Sequence, residues 1–171
     1  MGKFLAIVIL GSALIAGVGM YYLQVYHFYE EVAPTGEDVQ LTALASGETE
    51  VIAYDGFMAI DANSSPIRYR ACFTTDLTQK VLSERFEAYA DAVPLKAPGW
   101  FDCFDANAVG QALEDGSARA FLGQRDVIYG IDRVVAVFGD GRGYVWHQIN
   151  ACGEVVFDGE PVPDGCQPPP E

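Results

Sequence analysis

The stretch IDRVVAVFGDGRGYVWHQI, which runs from Ile131 to Ile149, decides the fold class of this chain. Two runs rich in β-branched and aromatic residues flank a glycine- and aspartate-rich segment at 139–143. Such a pattern is typical of two antiparallel strands joined by a tight turn. The sequence therefore predicts a β-hairpin over 131–149.

Further strands are predicted on both sides of this hairpin. Short apolar runs predict strands at 39–44, 51–54, 118–123 and 155–157. Residues 67–73 alternate as a strand does, because successive side chains point to opposite faces. One face carries Ile67, Tyr69, Ala71 and Phe73, and the other carries Arg68, Arg70 and Cys72.

Two helices are predicted between the strands. In the first, apolar residues recur at intervals of three and four from Leu77 to Tyr89, with Thr75 or Asp76 as the cap and Pro94 and Pro98 as terminators. The second, shorter helix has Asp105 as its cap and Gly116 as its stop. Helices interrupt the strands without a regular βαβ alternation, so we expect an α+β fold with a small antiparallel sheet and two helices.

The N-terminal segment Phe4–Leu23 contains twenty residues and no charge. At a rise of about 1.5 Å per residue it spans the roughly 30 Å hydrocarbon core of a bilayer. Lys3 precedes the segment, and basic residues flank the cytoplasmic end of a spanning helix. We therefore expect an inner-membrane protein with a cytoplasmic N-terminus and a periplasmic C-terminal domain.

A cleaved signal peptide is the rival interpretation, with Gly17 and Gly19 as the small residues before a cut. The tyrosine-rich apolar stretch continues past that point, which favours a retained anchor. The expected organisation is a cytoplasmic stub at 1–3, a transmembrane helix at 4–26 in contact with membrane lipid, a stalk at 27–37, an extracytoplasmic α+β domain at 38–160 and a Pro-rich tail at 161–171.

Four cysteines lie after the apolar segment, and an even number in an exported chain predicts disulfides. Three pairings are possible. Cys72–Cys103 and Cys152–Cys166 close the shortest loops and are the favoured set. A zinc or thioredoxin-like site is disfavoured, since no Cys-x-x-Cys motif occurs and no cysteine lies at ligand spacing from a histidine.

The formal net charge is −14, and Lys3 is the only lysine or arginine before Arg68. Such an acidic chain repels nucleic acid phosphates and anionic lipid head groups, so no nucleic-acid partner is expected. Basic partners and divalent cations remain compatible with it, although acidity by itself also serves solubility.

Arg68 and Arg70 are the candidate ligand-binding residues. Their guanidinium groups share one face of the predicted strand and could clamp a carboxylate or phosphate. The alternative is that they pair with neighbouring Asp and Glu side chains.

Other chemistries receive less support. Sequence signatures of serine hydrolases, zinc proteases and phosphate-binding loops do not occur. A calcium site at Asp102, Asp105 and Asn107 lacks the terminal acidic ligand that such loops require. His147 fits a half-buried structural position on its strand better than an acid–base role. We predict no catalytic residue, metal or cofactor.

Five aromatic residues allow two interpretations, a filled core or a patch that binds a partner. They are Trp100, Phe101, Phe104, Tyr144 and Trp146.

Several segments resemble an uncharacterised family of small single-span envelope proteins of alphaproteobacteria. They are YYLQVYHFYEEV (21–32), AIDANSSPIRYRACFTT (59–75), PGWFDCFDA (98–106), YGIDRVVAVFGDGRG (129–143) and WHQIN (146–150). The resemblance implies no mechanism and no site. Some similar sequences bear the label histidine kinase, but this chain lacks the glycine-rich phosphate contacts of a nucleotide-binding domain, and His147 falls in a predicted strand on the side without ATP.

The leading functional hypothesis is a membrane-anchored accessory or assembly factor of the cell envelope that acts through contacts with a protein partner. A small-anion sensor at Arg68 and Arg70 is the second hypothesis. An envelope enzyme of an unrecognised type is the third.

Overall fold

The hairpin predicted at 131–149 lies within the main sheet. The computed structural model, which describes residues 2–170, has strand β7 at Ile131–Phe138 and strand β8 at Arg142–Ile149. They pair antiparallel from Ile131 opposite Ile149 to Val137 opposite Gly143. In the turn, Asp140 Oδ1 accepts a hydrogen bond of 3.1 Å from the backbone N–H of Arg142. The predicted hairpin is therefore confirmed.

The main sheet also contains β1 (Glu30–Val32), β4 (Asp55–Asp61), β5 (Arg70–Thr74) and β6 (Ala118–Ile128). Its six strands lie in the order β1-β4-β5-β8-β7-β6, and every neighbouring pair is antiparallel. A second sheet contains only β2 (Gln40–Thr42) and β3 (Thr49–Val51). With the helices below, these sheets confirm the predicted α+β class.

Helix α1 occupies Gly2–Tyr22 and continues into a π-helical turn at Leu23–His27. This 26-residue segment is long and apolar enough to span a membrane. Helix α3 at Ala106–Asp115 has the predicted ends, because Asp105 accepts hydrogen bonds from the first turn and Gly116 adopts a left-handed conformation at φ 79°. The remaining helices are α2 (Gln79–Arg85) and α4 (Ala151–Phe157).

The prediction for α2 is wrong at both ends. Thr78, rather than Thr75 or Asp76, caps the helix, because its side chain accepts a hydrogen bond from the backbone N–H of Val81. The helix ends at Arg85, well before the two prolines. The residues that follow are extended and pair with β6, as in the 3.0 Å bond from Tyr89 N–H to the carbonyl of Ala120. Pairing along the edge of β6 therefore overrides the helical periodicity there.

The strand predicted at 155–157 is also wrong, since these residues form the last turn of α4. Asn150 caps this helix by accepting a hydrogen bond of 2.9 Å from Gly153 N–H. After α1, the described part of the chain thus contains three helices instead of the two expected.

Two strands of the main sheet have no counterpart among the predictions. β4 contains few β-branched residues, and β1 lies inside the segment 27–37 that was expected to be a stalk. β1 pairs with Ala59–Asp61 of β4, so the main sheet begins only three residues after the π-helical turn. The apolar helix and the domain are consequently joined by a very short connection.

The central strands are buried on both faces because each face is covered. On one face, the β2–β3 hairpin and α2 enclose a core that contains Leu41, Phe73, Phe86, Phe121 and Val145. On the other face, α3 and the preceding loop cover a core that contains Phe104, Val109, Val134, Tyr144 and Trp146. This arrangement explains the unbroken apolar run of β7.

Two disulfides cross-link the fold, Cys72–Cys103 and Cys152–Cys166. The first ties β5 to the loop before α3, and the second ties α4 to the C-terminal tail. They are the pairings with the shortest loops, and they indicate an oxidising compartment.

Candidate functional site

Arg70 begins β5 with a side chain that is only 3% exposed. Its guanidinium donates four hydrogen bonds of 2.6–3.2 Å, all to backbone carbonyls. The acceptors are Ile67, Tyr69, Leu95 and Lys96. Burial lowers the pKa of Arg70 to about 10, which leaves the group charged at neutral pH. Since an arginine has five N–H donors, only one remains for a ligand.

Arg68 is partly exposed and contacts the end of the apolar helix. Its Nη1 donates a hydrogen bond of 3.2 Å to the carbonyl of Gln24, and its guanidinium lies 5.5 Å from the ring centre of Tyr29. A cation is favoured here, because the C-terminal end of a helix carries partial negative charge.

Trp100 makes the second contact with the helix end. Its indole Nε1 donates a hydrogen bond of 2.6 Å to the carbonyl of Val25, and its ring packs edge-on against Tyr29 with centroids 6.0 Å apart. Two carbonyls that the helix leaves free are thereby bound by the domain. The sequence did not indicate this role for Trp100, because the partner lies 75 residues away.

A cleft of about 470 Å³ opens between the helix end and the loop at 95–98. We call it the helix-end cleft, and its lining includes Gln24, Tyr29, Arg68, Arg70 and Lys96. Arg68, Arg70 and Lys96 are three of the chain's ten lysine and arginine residues, and none of the aspartates and glutamates within residues 2–170 lines the cleft. The structure therefore brings the two predicted arginines to one cleft and adds Lys96, which lies too far along the chain for strand periodicity to indicate.

The hypothesis of an anion clamp stays a prediction after these observations. The expected alternative was pairing with carboxylates, but the partners of both arginines are backbone carbonyls. Because Arg70 has one donor left, Arg68 and Lys96 are the residues with most capacity for an anion.

A second concave surface lies beside β1 and β4, with a volume of about 760 Å³. We call it the edge groove. Its apolar lining includes Val32, Phe57, Met58, Trp100 and Phe101, and its charged residues are Glu31 and Asp102. The Met58 side chain is 52% exposed. Within residues 2–170, the lining of the edge groove combines apolar side chains with two acidic ones and contains no lysine or arginine.

The five aromatic residues named in the sequence analysis lie in two different environments, the core and the edge groove. Phe104, Tyr144 and Trp146 are buried in the core beneath α3, whereas Trp100 and Phe101 are partly exposed and line the edge groove.

His147 is buried, and both of its ring nitrogens have partners. Nδ1 lies 2.8 Å from the carbonyl of Pro66, which assigns the proton to Nδ1, and Nε2 accepts a bond of 3.1 Å from Arg133. The ring stacks on Tyr69 at a centroid distance of 4.9 Å. Burial lowers the pKa of His147 to about 4, so it is neutral at pH 7. This environment fits a structural role and leaves no nitrogen for phosphoryl or proton transfer.

The acidic residues near the second disulfide have structural partners as well. Asn150 Nδ2 donates hydrogen bonds to Asp126 and to the buried Asp132, which also accepts from the Tyr89 hydroxyl. Burial raises the pKa of Tyr89, and Asp132 raises it further. These bonds hold the β6–β7 turn against α4.

The residues considered for calcium do not assemble a site in the described chain. Asp105 Oδ1 is occupied by the N–H groups of Asn107 and Ala108 at the start of α3. Within residues 2–170, no group of three or more His, Cys, Asp or Glu side chains is placed to hold a metal ion.

A family model described as a family of unknown function, DUF6446, matches residues 39–167. The chain belongs to DUF6446. The matched range extends from β2 past α4 and includes all four cysteines and the three basic residues of the helix-end cleft. Residues 2–38, with α1 and β1, precede it. No curated protein and no solved structure matches the chain.

Proposed function

We propose that this DUF6446 protein is a membrane-anchored accessory or assembly factor of the cell envelope that acts through protein contacts. In this proposal α1 spans the inner membrane with the N-terminus in the cytoplasm, and the disulfide-linked domain lies in the periplasm. The support is the length and apolarity of α1, Lys3 before it and the two disulfides after it.

The edge groove is the observation that carries the proposal. β1 covers β4 only at Ala59–Asp61, so residues 55–58 have no strand neighbour on that side within residues 2–170. An uncovered strand edge offers backbone donors and acceptors to an added strand. We infer that an extended segment of a partner protein pairs there, with apolar side chains in the groove and basic residues near Glu31 and Asp102.

Site-specific photo-crosslinking in intact cells tests this contact. A photoreactive amino acid in place of Met58 should give one discrete adduct, whereas the same replacement at the exposed Val81 on α2 should give none. Glu31→Lys with Asp102→Lys should reduce the Met58 adduct several-fold, since both changes repel a basic partner. The absence of an adduct at position 58, or identical adducts at both positions, would contradict the proposal.

The anchor requires a separate experiment. After alkaline carbonate extraction, the mature chain should remain in the membrane pellet, and mass spectrometry should detect peptides from residues 4–26. A mature chain trimmed after Gly17 or Gly19 and released to the supernatant would show that the segment is a cleaved signal.

A small-anion sensor is the second candidate, and the helix-end cleft is the observation that favours it. Among the described residues, three basic side chains and no carboxylate line this cleft, although the chain has a net charge of −14. Arg68→Ala with Lys96→Ala should abolish any rise in melting temperature that an anion produces in the full chain. Retention of that rise in the double variant would exclude the cleft as the binding site.

A further inference from the structure

The position of the helix-end cleft along α1 indicates which anion it meets. The uncharged segment Phe4–Leu23 has the length of the hydrocarbon core, and Gln24 is the first residue beyond it. Gln24 and Val25 line the cleft, so its floor lies one or two residues past the end of the apolar run. With α1 in a bilayer, this is the depth of the lipid headgroups.

The fold holds the walls of the helix-end cleft in place, and two basic side chains in it keep N–H donors that are free for a ligand. Arg70 fixes both walls, since it donates to the carbonyls of Ile67 and Leu95. Arg68 uses one N–H for Gln24, which leaves four. The ammonium group of the exposed Lys96 has no hydrogen bond or ion pair with any residue of 2–170.

We propose that the helix-end cleft binds the phosphate of a phospholipid in the leaflet that faces the domain, with Arg68 and Lys96 as its ligands. This inference rests on the membrane anchorage proposed above and specifies the ligand class of the anion-binding candidate. Tyr29 and Trp100, beside the cleft, are residue types enriched at the interface between bilayer and water.

Two features favour a lipid phosphate over a soluble anion. Lipid phosphates are already concentrated at this depth, whereas a soluble anion reaches the cleft only from dilute solution. The remaining acidic surface does not prevent binding, because charges beyond about 8 Å are largely screened at physiological ionic strength. No carboxylate from the part of the chain that the structure describes lines the cleft, which also favours an anionic headgroup such as phosphatidylglycerol over one that carries an ammonium group.

The test uses the full chain in nanodiscs that contain equal amounts of phosphatidylglycerol and phosphatidylcholine. Native mass spectrometry measures which lipids stay bound when the disc is removed. Each cation near a membrane surface contributes about a fivefold preference for anionic lipid. Lys96→Gln, which breaks no side-chain hydrogen bond or ion pair within residues 2–170, should lower the retention of phosphatidylglycerol about fivefold, and Arg68→Gln with Lys96→Gln should lower it more than about tenfold.

Lys80→Gln with Arg85→Gln is the matched control, because it removes the same charge from α2 and should leave lipid retention within about twofold of wild type. Equal retention of phosphatidylglycerol in wild type and in the Arg68 and Lys96 variants would overturn the inference. In discs of phosphatidylcholine alone, added inorganic phosphate should not change the melting temperature. A rise that depends on Arg68 and Lys96 would instead assign the cleft to a soluble anion.

Failure of the proposed anchorage has a different signature. A chain that does not enter the discs, or that is recovered without residues 4–26, would refute the membrane anchor and the lipid site with it. A chain that enters the discs but shows no lipid preference refutes only the lipid site.

Discussion

Replacement of Arg70 by methionine tests whether Arg70 stabilises the fold or serves only to bind a ligand. Methionine has a similar length but no donor, so the carbonyls of Ile67, Tyr69, Leu95 and Lys96 lose their partner. We expect the domain to lose stability even without any ligand, because these carbonyls join the start of β5 to the loop at 95–98.

The expected loss in the free energy of unfolding follows from the four hydrogen bonds. A hydrogen bond to a charged group contributes about 1.5–3 kcal/mol, so four contribute about 6–12 kcal/mol. The variant no longer has to bury a guanidinium, and that desolvation costs several kcal/mol. A net loss of about 3–5 kcal/mol in the free energy of unfolding is expected. For a chain of this length it corresponds to a fall in melting temperature of about 6–20 °C.

Thermal unfolding of the full chain in detergent, followed by near-UV circular dichroism, measures this loss. Arg85→Met is the control, because Arg85 is half exposed and pairs with Glu50 at the surface over 3.0 Å. A surface ion pair contributes at most about 1 kcal/mol, so the control should lose no more than about 4 °C. If Arg70→Met is no less stable than Arg85→Met, the structural assignment of Arg70 is wrong.

Two further predictions concern the core. A Cβ atom at Gly143 would lie 2.1 Å from the buried ring of Phe73, so Gly143→Ala should lower the free energy of unfolding by about 3 kcal/mol in a denaturant titration. Gly139→Ala in the same hairpin meets no atom closer than 3.9 Å and should change it by less than about 0.5 kcal/mol; equal losses would contradict this packing. The pKa of His147 is about 4 in the fold, below its unfolded value of about 6.5, so its contribution to stability is full above pH 6.5 and is lost as the pH falls towards 4. His147→Gln should remove about 3 kcal/mol of the acid destabilisation between pH 7 and pH 4, and an unchanged pH profile would show that His147 is not buried in its neutral form.

The sequence predicted those elements whose signals are local. The hairpin at 131–149 depends on a glycine-rich turn between two apolar runs, and α3 depends on an N-cap and a C-terminal glycine. Each signal lies within a few residues of the element that it defines. The fold class could therefore be predicted without knowledge of tertiary contacts.

Segments whose conformation depends on hydrogen bonds to a strand far along the chain could not be predicted from local signals. Residues 86–89 have a helical pattern of apolar residues, yet they are extended because β6, more than thirty residues later, offers a free edge. β1 is a strand only because Ala59–Asp61 lies beside it. Tertiary hydrogen bonds decide the conformation of such segments, and local propensity is too weak to oppose them.

The candidate site was predictable in part. Arg68 and Arg70 both line the helix-end cleft, but the strand predicted at 67–73 begins only at Arg70, so Arg68 precedes it. The alternation also did not indicate that Arg70 would be buried against carbonyls. Lys96 comes from a loop that only the folded chain brings to the arginines. The contact of Trp100 with the helix end has no sequence signal, because a tryptophan beside prolines is equally compatible with a core position.

The two hydrogen bonds from Arg68 and Trp100 to the end of α1 also restrict how the protein can be oriented. Because they bind successive carbonyls, at Gln24 and Val25, the domain cannot turn freely about the helix axis. If α1 spans a bilayer, as proposed, rotation of the helix would carry the domain around with it. A second transmembrane helix packed along one side of α1 would then always meet the same side of the C-terminal domain, and contacts made inside the lipid would select which surface of the domain faces a neighbour outside it.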